Sequence, residues 1–180
     1  MKTRKKAVST KTPAITMKPG KGKSWTDKVE DPTKEAVVKK LEIDFSDMKA
    51  GEKMLIATPK ILDQYVRQIP KGKSVSLITM RKDLAREYRA DNTCPLTTGI
   101  FLRIVSEAAH EQLEKGVATS RVAPFWRVVD EKSPLNKKLS FGPDFVAQQR
   151  AKEGISSAAM DQKRRPGRTV TPKRKSIKPM

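Results

Sequence analysis

Cysteine and histidine are almost absent from this chain: one of each in 180 residues, Cys94 and His110. A single cysteine excludes an intrachain disulfide and fits a reducing compartment. The pair falls short of the four Cys/His ligands of a structural zinc site, so no metal and no other cofactor is expected. No run of about 18 apolar residues occurs, so no segment reads as a membrane-spanning helix and no membrane partner is expected. The N-terminus is basic but lacks the apolar core of a secretory signal. The expected setting is the cytoplasm, in association with the nucleoid, or the nucleus where the source has one. Aromatic residues number only nine, yet Phe125 and Trp126 stand side by side in "RVAPFWRVVDE". That pair has three readings: a buried strand edge, a stacking platform, or a disarmed active site.

Positive charge is abundant, with a net formal charge of +19. The first 23 residues hold eight Lys/Arg and no acid, and residues 156–180 hold eight against Asp161 alone. The middle of the chain is therefore close to an ordinary soluble surface. Both ends lack a periodic apolar pattern and are rich in Lys, Pro, Thr and Ser. Such segments bury too little surface to offset the entropy of ordering and are expected to be disordered. Clustered cations release counterions from a polyanion, which makes nucleic acid, and duplex DNA first, the expected partner.

Between the tails, "KSWTDKVEDPTKEAVVKKLEID" alternates charges around Trp25, Val29, Val37, Val38, Leu41 and Ile43, as a segment lying on a core would. "KMLIAT" (53–58) predicts a short strand. "TPKILDQYVRQIP" predicts a helix capped by Thr58, entered by Pro59 and ended by Pro70, with one apolar stripe. "KGKSVSLI" (71–78) predicts a turn and strand, and "TMRKDLAREYRA" (79–90) a helix capped by Thr79. The longest helix is expected over "TTGIFLRIVSEAAHEQLEKG" (97–116), stopped by Gly116. "FWRVVDE" (125–131) predicts a strand followed by a turn, and "DFVAQQRAKEG" (144–154) a last helix. This order is that of a winged helix-turn-helix module. The expected class is thus α+β: a basic tail (1–22), an extension packing on the core (23–54), a winged helix-turn-helix-like domain (55–155), and a second basic tail (156–180).

Several catalytic motifs fail on spacing. The two Gly-Lys-Ser sequences lack the glycine five residues upstream that a phosphate loop needs, since Met17 and Arg67 stand there. Ser, His and Asp occur without a triad pattern, and His110 reads as a surface or internally satisfied side chain. Cys94, before Pro95 at a helix entry, reads as a small buried residue, with a reactive thiol as the alternative.

One set of motifs does hold together. "IPKGK" (69–73), Asp83-Leu84-Ala85, "PFWRVV" (124–129) and Glu153-Gly154 resemble the methylated-DNA–protein cysteine methyltransferases and their alkyltransferase-like relatives. The resemblance covers roughly residues 55–155, and "KSWTDKVED" is similar to the extension of a bacterial branch of that family. Members that repair DNA use a Pro-Cys-His-Arg motif with a later glutamate, in which the cysteine takes an alkyl group from guanine O6. Laid on this chain, Pro124, Arg127 and Glu153 match, but Phe125 stands at the cysteine and Trp126 at the histidine. Neither ring can accept an alkyl group or remove a thiol proton, so the resemblance implies a protein without catalytic residues. The family's DNA-contacting tyrosine falls near Arg81 and its intercalating arginine near Thr98. Thr97, Thr98 and Gly99 at a helix start are expected to hold a phosphate. The expected DNA-binding set is Arg81, Thr97, Thr98, Phe125, Trp126 and Arg127. The implied function is non-enzymatic DNA binding, with sensing of alkylated or flipped bases through aromatic stacking. An RNA-associated or protein-interaction module on the inherited fold is the alternative.

Overall fold

The computed structural model describes residues 18–155. The basic tails expected to be disordered lie outside the described residues, except for 18–22. The described chain is α+β, with five helices and one three-stranded sheet.

The extension opens with a short helix, α1 (Trp25–Val29), held by a reciprocal capping box between Ser24 and Asp27. Strand β1 (Val37–Lys40) pairs antiparallel with β2 (Lys53–Ile56), and β2 pairs in parallel with the two-residue β3 (Asn92–Thr93). The expected boundary at 54/55 therefore cuts through β2, and the extension shares its sheet with the rest of the chain. It is tied down elsewhere too: the Trp25 amide donates to Glu111 at 2.7 Å, and α1 packs against the longest helix.

Helix α2 (Pro59–Gln68) begins at Thr58, whose hydroxyl accepts from the Ile61 amide, and buries Leu62 and Val66. It ends where Ile69 turns extended ahead of Pro70. Helix α3 (Leu77–Glu87) is capped three positions before the expected Thr79, by Ser76, whose hydroxyl accepts from the Thr79 amide. Of the turn and short strand expected over residues 71–78, the turn is present at Lys71-Gly72, while the strand is replaced by an irregular stretch leading into the helix. Helix α4 (Pro95–Glu114) likewise begins earlier, with proline in its first turn and Cys94 at the cap position. Gly116, at φ +83°, follows its end.

The largest departure follows α4. No strand occurs there among the described residues: Phe125–Arg127 form a single tight helical turn, and Val128 stays in the right-handed helical region. Strand alternation would send Phe125 and Trp126 to opposite faces. Here both are inside, at 0% and 1% exposure. A second tight turn (Asn136–Lys138) leads to α5 (Asp144–Lys152). One core spans α2, α3, α4, α5 and the Phe125 turn, with a small satellite of Met48, Met54 and Cys94 under the extension.

Candidate functional site

The residues singled out by "PFWRVV" meet the end of α5 in a closed clamp. Trp126 donates its indole N–H to Glu153 Oε1 at 3.0 Å. Arg127 donates Nε to Oε2 and Nη2 to Oε1 of the same carboxylate, each at 2.7 Å. The Gly72 amide adds a fourth donor at 3.3 Å. A carboxylate offers about four lone-pair sites, so Glu153 is fully occupied as an acceptor. Burial pushes its pKa up, but the hydrogen bonds from Arg127 and Trp126 outweigh that and hold it below the usual value. It is an anchored anion, with no lone pair left for proton transfer.

Sequence explains why the clamp closes. The "IPKGK" turn brings Gly72 against Glu153: a Cβ on Gly72 would lie 3.3 Å from the Glu153 carbonyl oxygen, and its φ of +75° also favours glycine. Arg127 ties the same turn from the other side, giving Nη1 to the Ile69 carbonyl at 2.6 Å and accepting from the Val75 amide at 2.8 Å. Arg150, fully buried on α5, donates to the Trp126 carbonyl at 2.8 Å.

Phe125 sits in a cluster of rings. It meets Trp126 edge-on at 5.4 Å and stacks on Phe145 at 6.1 Å. Phe141 meets Phe145 edge-on at 5.2 Å and stacks face to face on His110 at 4.1 Å. Such geometries are favourable beyond the area they bury. His110, expected at the surface or internally satisfied, is a half-buried member of this stack. Both aromatic residues expected to face a base are thus core side chains, which corrects the stacking-platform reading of the pair.

Two other expected DNA contacts also point inward. Arg81 is 6% exposed, gives Nε to the Thr93 carbonyl at 2.8 Å, and forms a two-pronged pair with Asp47 of the extension. Thr98 is fully buried and its hydroxyl donates to the Cys94 carbonyl one turn back. Thr97 is half-buried, and its hydroxyl oxygen is buried without a hydrogen-bond partner. Arg127 belongs to the clamp. The six expected residues therefore form no common surface, although Trp126 and Arg127 converge on Glu153. Cys94 is buried. Among the described residues no group of three His, Cys, Asp or Glu is placed to hold a metal ion.

What is exposed near these elements was not singled out by sequence reasoning. Ile78, Lys82, Arg86 and Arg89 follow one another at roughly helical spacing along the outer side of α3 and its end, and all are exposed. Leu96 and Ile100 are exposed at the head of α4. A shallow cleft of about 290 Å³ lies beside the clamp, lined by Leu77, Val128, Asp130, Lys132, Ser133 and Pro134. That volume is at the small end for ligand sites. The i, i+4 recurrence on α3 was legible in the sequence as a solvated face; the cleft, made by a loop against a helix head, was not. Comparison with protein-family models, curated proteins and solved structures finds no match to this chain.

Proposed function

We propose that the protein is a non-enzymatic DNA-binding protein of the alkyltransferase-like kind, using α3 and α4 in the manner of a helix-turn-helix, without the strand pair of a wing after α4 among the described residues. The observation that carries the reading is the state of the "PFWRVV" site. Its framing residues, Arg127 and Glu153, are paired as a scaffold, while the positions of the acceptor cysteine and the base hold two buried rings. A scaffold kept without reacting groups suits binding rather than turnover. The cationic tails add affinity for phosphates without sequence preference. Because Phe125 and Trp126 are internal, an extruded base is proposed to rest in the cleft beside Val128, against Leu77 and Pro134.

The test is binding of duplex DNA, with and without an O6-alkylated guanine, to the full chain and to residues 18–155. The full chain is expected to show log affinity falling steeply and linearly with log salt, with a smaller slope for the trimmed chain. Equal affinity for plain and alkylated duplex would remove lesion sensing. Transfer of an alkyl label to the protein would overturn the non-enzymatic assignment. Preference for single-stranded RNA over duplex DNA would favour the RNA-associated alternative.

A further inference from the structure

Strand β1 is an outer strand of the sheet, paired with β2 on one side only. The Leu41 amide donates to the Glu52 carbonyl at 2.9 Å, in the register that sets Lys39 opposite Met54 and Val37 opposite Ile56. Backbone groups alternate along a strand, so Lys39 and Val37 also turn toward β2, while Val38 turns its N–H and C=O outward. Glu35 and Ala36 immediately precede the strand, in no helix or turn, and continue the alternation. The edge exposes apolar side chains as well as backbone: Val37 is 51% exposed and Val38 41%. Glu35 and Lys39 are exposed and make no ion pair among the described residues. An unpaired edge of this kind is a template for a further strand.

We propose that β1 pairs antiparallel with β1 of a second copy of this chain, with Val37 opposite itself on the two-fold axis. The charge pattern of the edge selects this occupant. Laid against its own reverse about Val37, the segment Glu35-Ala36-Val37-Val38-Lys39 sets Glu35 opposite Lys39 and Ala36 opposite Val38. Each charge of one copy then meets the opposite charge of the other, and apolar side chains fill the middle. Both kinds of cross-strand pair are favourable. The backbone suits the same register. Outward groups of Val38 fall opposite those of Ala36, while Glu35 and Lys39 form the non-hydrogen-bonded pairs, where side chains come closest. A shift by one residue would set inward-turned groups opposite outward-turned ones. A shift by two would leave Glu35 opposite Val37 or Leu41. Lysines on an edge ordinarily repel a further strand. Here Lys39 meets a glutamate, and Lys40 lies opposite Lys34, whose ammonium stands 5.8 Å from the centre of the Phe101 ring. The contact is isologous, the same patch on both copies. It is also short, and interfaces under about 1,200 Å² are weak or transient. This inference stands apart from the DNA-binding reading.

The experiment is sedimentation velocity of the full chain without nucleic acid, from about 10 μM to about 1 mM, with a dimer Kd expected on the order of 100 μM. Salt is held at about 0.15 M, where a Debye length of about 8 Å screens charges on distant parts of the two copies but not a cross-strand pair. Hydrogen exchange at the Val38 amide, free in the monomer, is expected to slow as concentration rises. Glu35→Lys and Lys39→Glu, each alone, set like charges opposite one another and are expected to weaken association about tenfold. They change net charge in opposite directions, so a loss common to both is not a net-charge effect. Mixed in equal amounts, the two variants set a lysine opposite a glutamate at both places and are expected to recover association of wild-type strength. These side chains are exposed, and circular dichroism checks that each variant folds. A wild-type chain still monomeric at about 1 mM overturns the proposal. Self-association that neither variant weakens, that the mixture does not recover, or that leaves Val38 exchange unchanged overturns it as well. Capture of an acidic peptide by β1 in a chain that does not self-associate would assign the edge to a different partner.

Discussion

Removing the Glu153 carboxylate is the most direct probe of the clamp. Glu153→Ala deletes the acceptor shared by Trp126, Arg127 and Gly72. Arg127, whose side chain is 13% exposed, then keeps its charge with only the Ile69 carbonyl as partner. Breaking a buried ion pair from one side costs about 3–5 kcal/mol. The partial exposure of Arg127 places this case at the lower end, about 3 kcal/mol. Glu153→Gln keeps the shape and one acceptor but not the charge, and is expected to cost about 1–2 kcal/mol. For a chain of this size, about 3 kcal/mol lowers Tm by on the order of 10 °C. Thermal and urea unfolding of the full chain, followed by tryptophan fluorescence and circular dichroism, measures both.

Acid titration gives the same argument an independent sign. The Glu153 pKa is pushed up by burial but held below its ordinary value by the bonds from Arg127 and Trp126. A carboxyl group depressed in the folded state stabilises fully above its unfolded pKa, about 4.3, and loses that contribution as pH falls through the folded value. Wild type and Glu153→Gln are therefore expected to differ most from about pH 5 upward and to converge in acid. If Glu153→Ala unfolds within about 0.5 kcal/mol of wild type at neutral pH, the clamp reading is refuted. The retained pair would then be free for direct contact with a ligand.

Two further substitutions test neighbouring parts of the same argument. Phe125→Cys/Trp126→His writes into the chain the Pro-Cys-His-Arg sequence of the family it is proposed to resemble, but opens a cavity among Phe141, Phe145 and the turn. It is expected to destabilise by about 3–5 kcal/mol and to give a thiol that bulky reagents modify no faster than the protein unfolds. Rapid labelling with retained stability would show the position to be accessible. Gly72→Ala strains a φ of +75° and sets a Cβ against the Glu153 carbonyl. A loss of about 1–2 kcal/mol is expected from denaturant unfolding, and a neutral result would mean the turn is not pressed against α5.

The helices were legible because their signals are local. The apolar stripe of α2 and its Thr58 cap lie within a dozen residues, and the long α4 needed only its period. Cap competition was harder: Ser76 and Thr79 both suit a cap, and the Ser76 side chain accepts from the Thr79 amide. Extension packing was visible in Trp25 and Val29, but the sheet shared through β2 was not, because β3 is only two residues long. The Phe125 turn was misread as a strand because Val128, Val129 and the aromatic pair have strand propensity, and propensity yields to packing. Whether two adjacent rings face one way depends on Phe141 and Phe145, far along the chain. The buried states of Arg81 and Thr98 have the same origin: Asp47 from the extension and the Cys94 carbonyl are partners that no motif spacing announces.

The exchange of cysteine and histidine for Phe125 and Trp126, on the proposed reading, does more than delete two reacting groups. Interiors are packed to crystal-like density, so two large rings require space that neighbours must provide. Here Phe145 takes up both rings and Phe141 closes on Phe125, while the indole N–H finds its partner in Glu153. Each adjustment makes the others harder to undo. A lone Phe125→Cys would leave a void lined by rings, and a lone Trp126→His would shorten the donor to Glu153 while leaving no nucleophile for the imidazole to activate. Recovery of chemistry by single steps therefore passes through destabilised intermediates that still cannot react. Selection on such a chain acts on what remains outside the core: the cationic side of α3, the aliphatic heads of the two helices, and the cleft beside Val128.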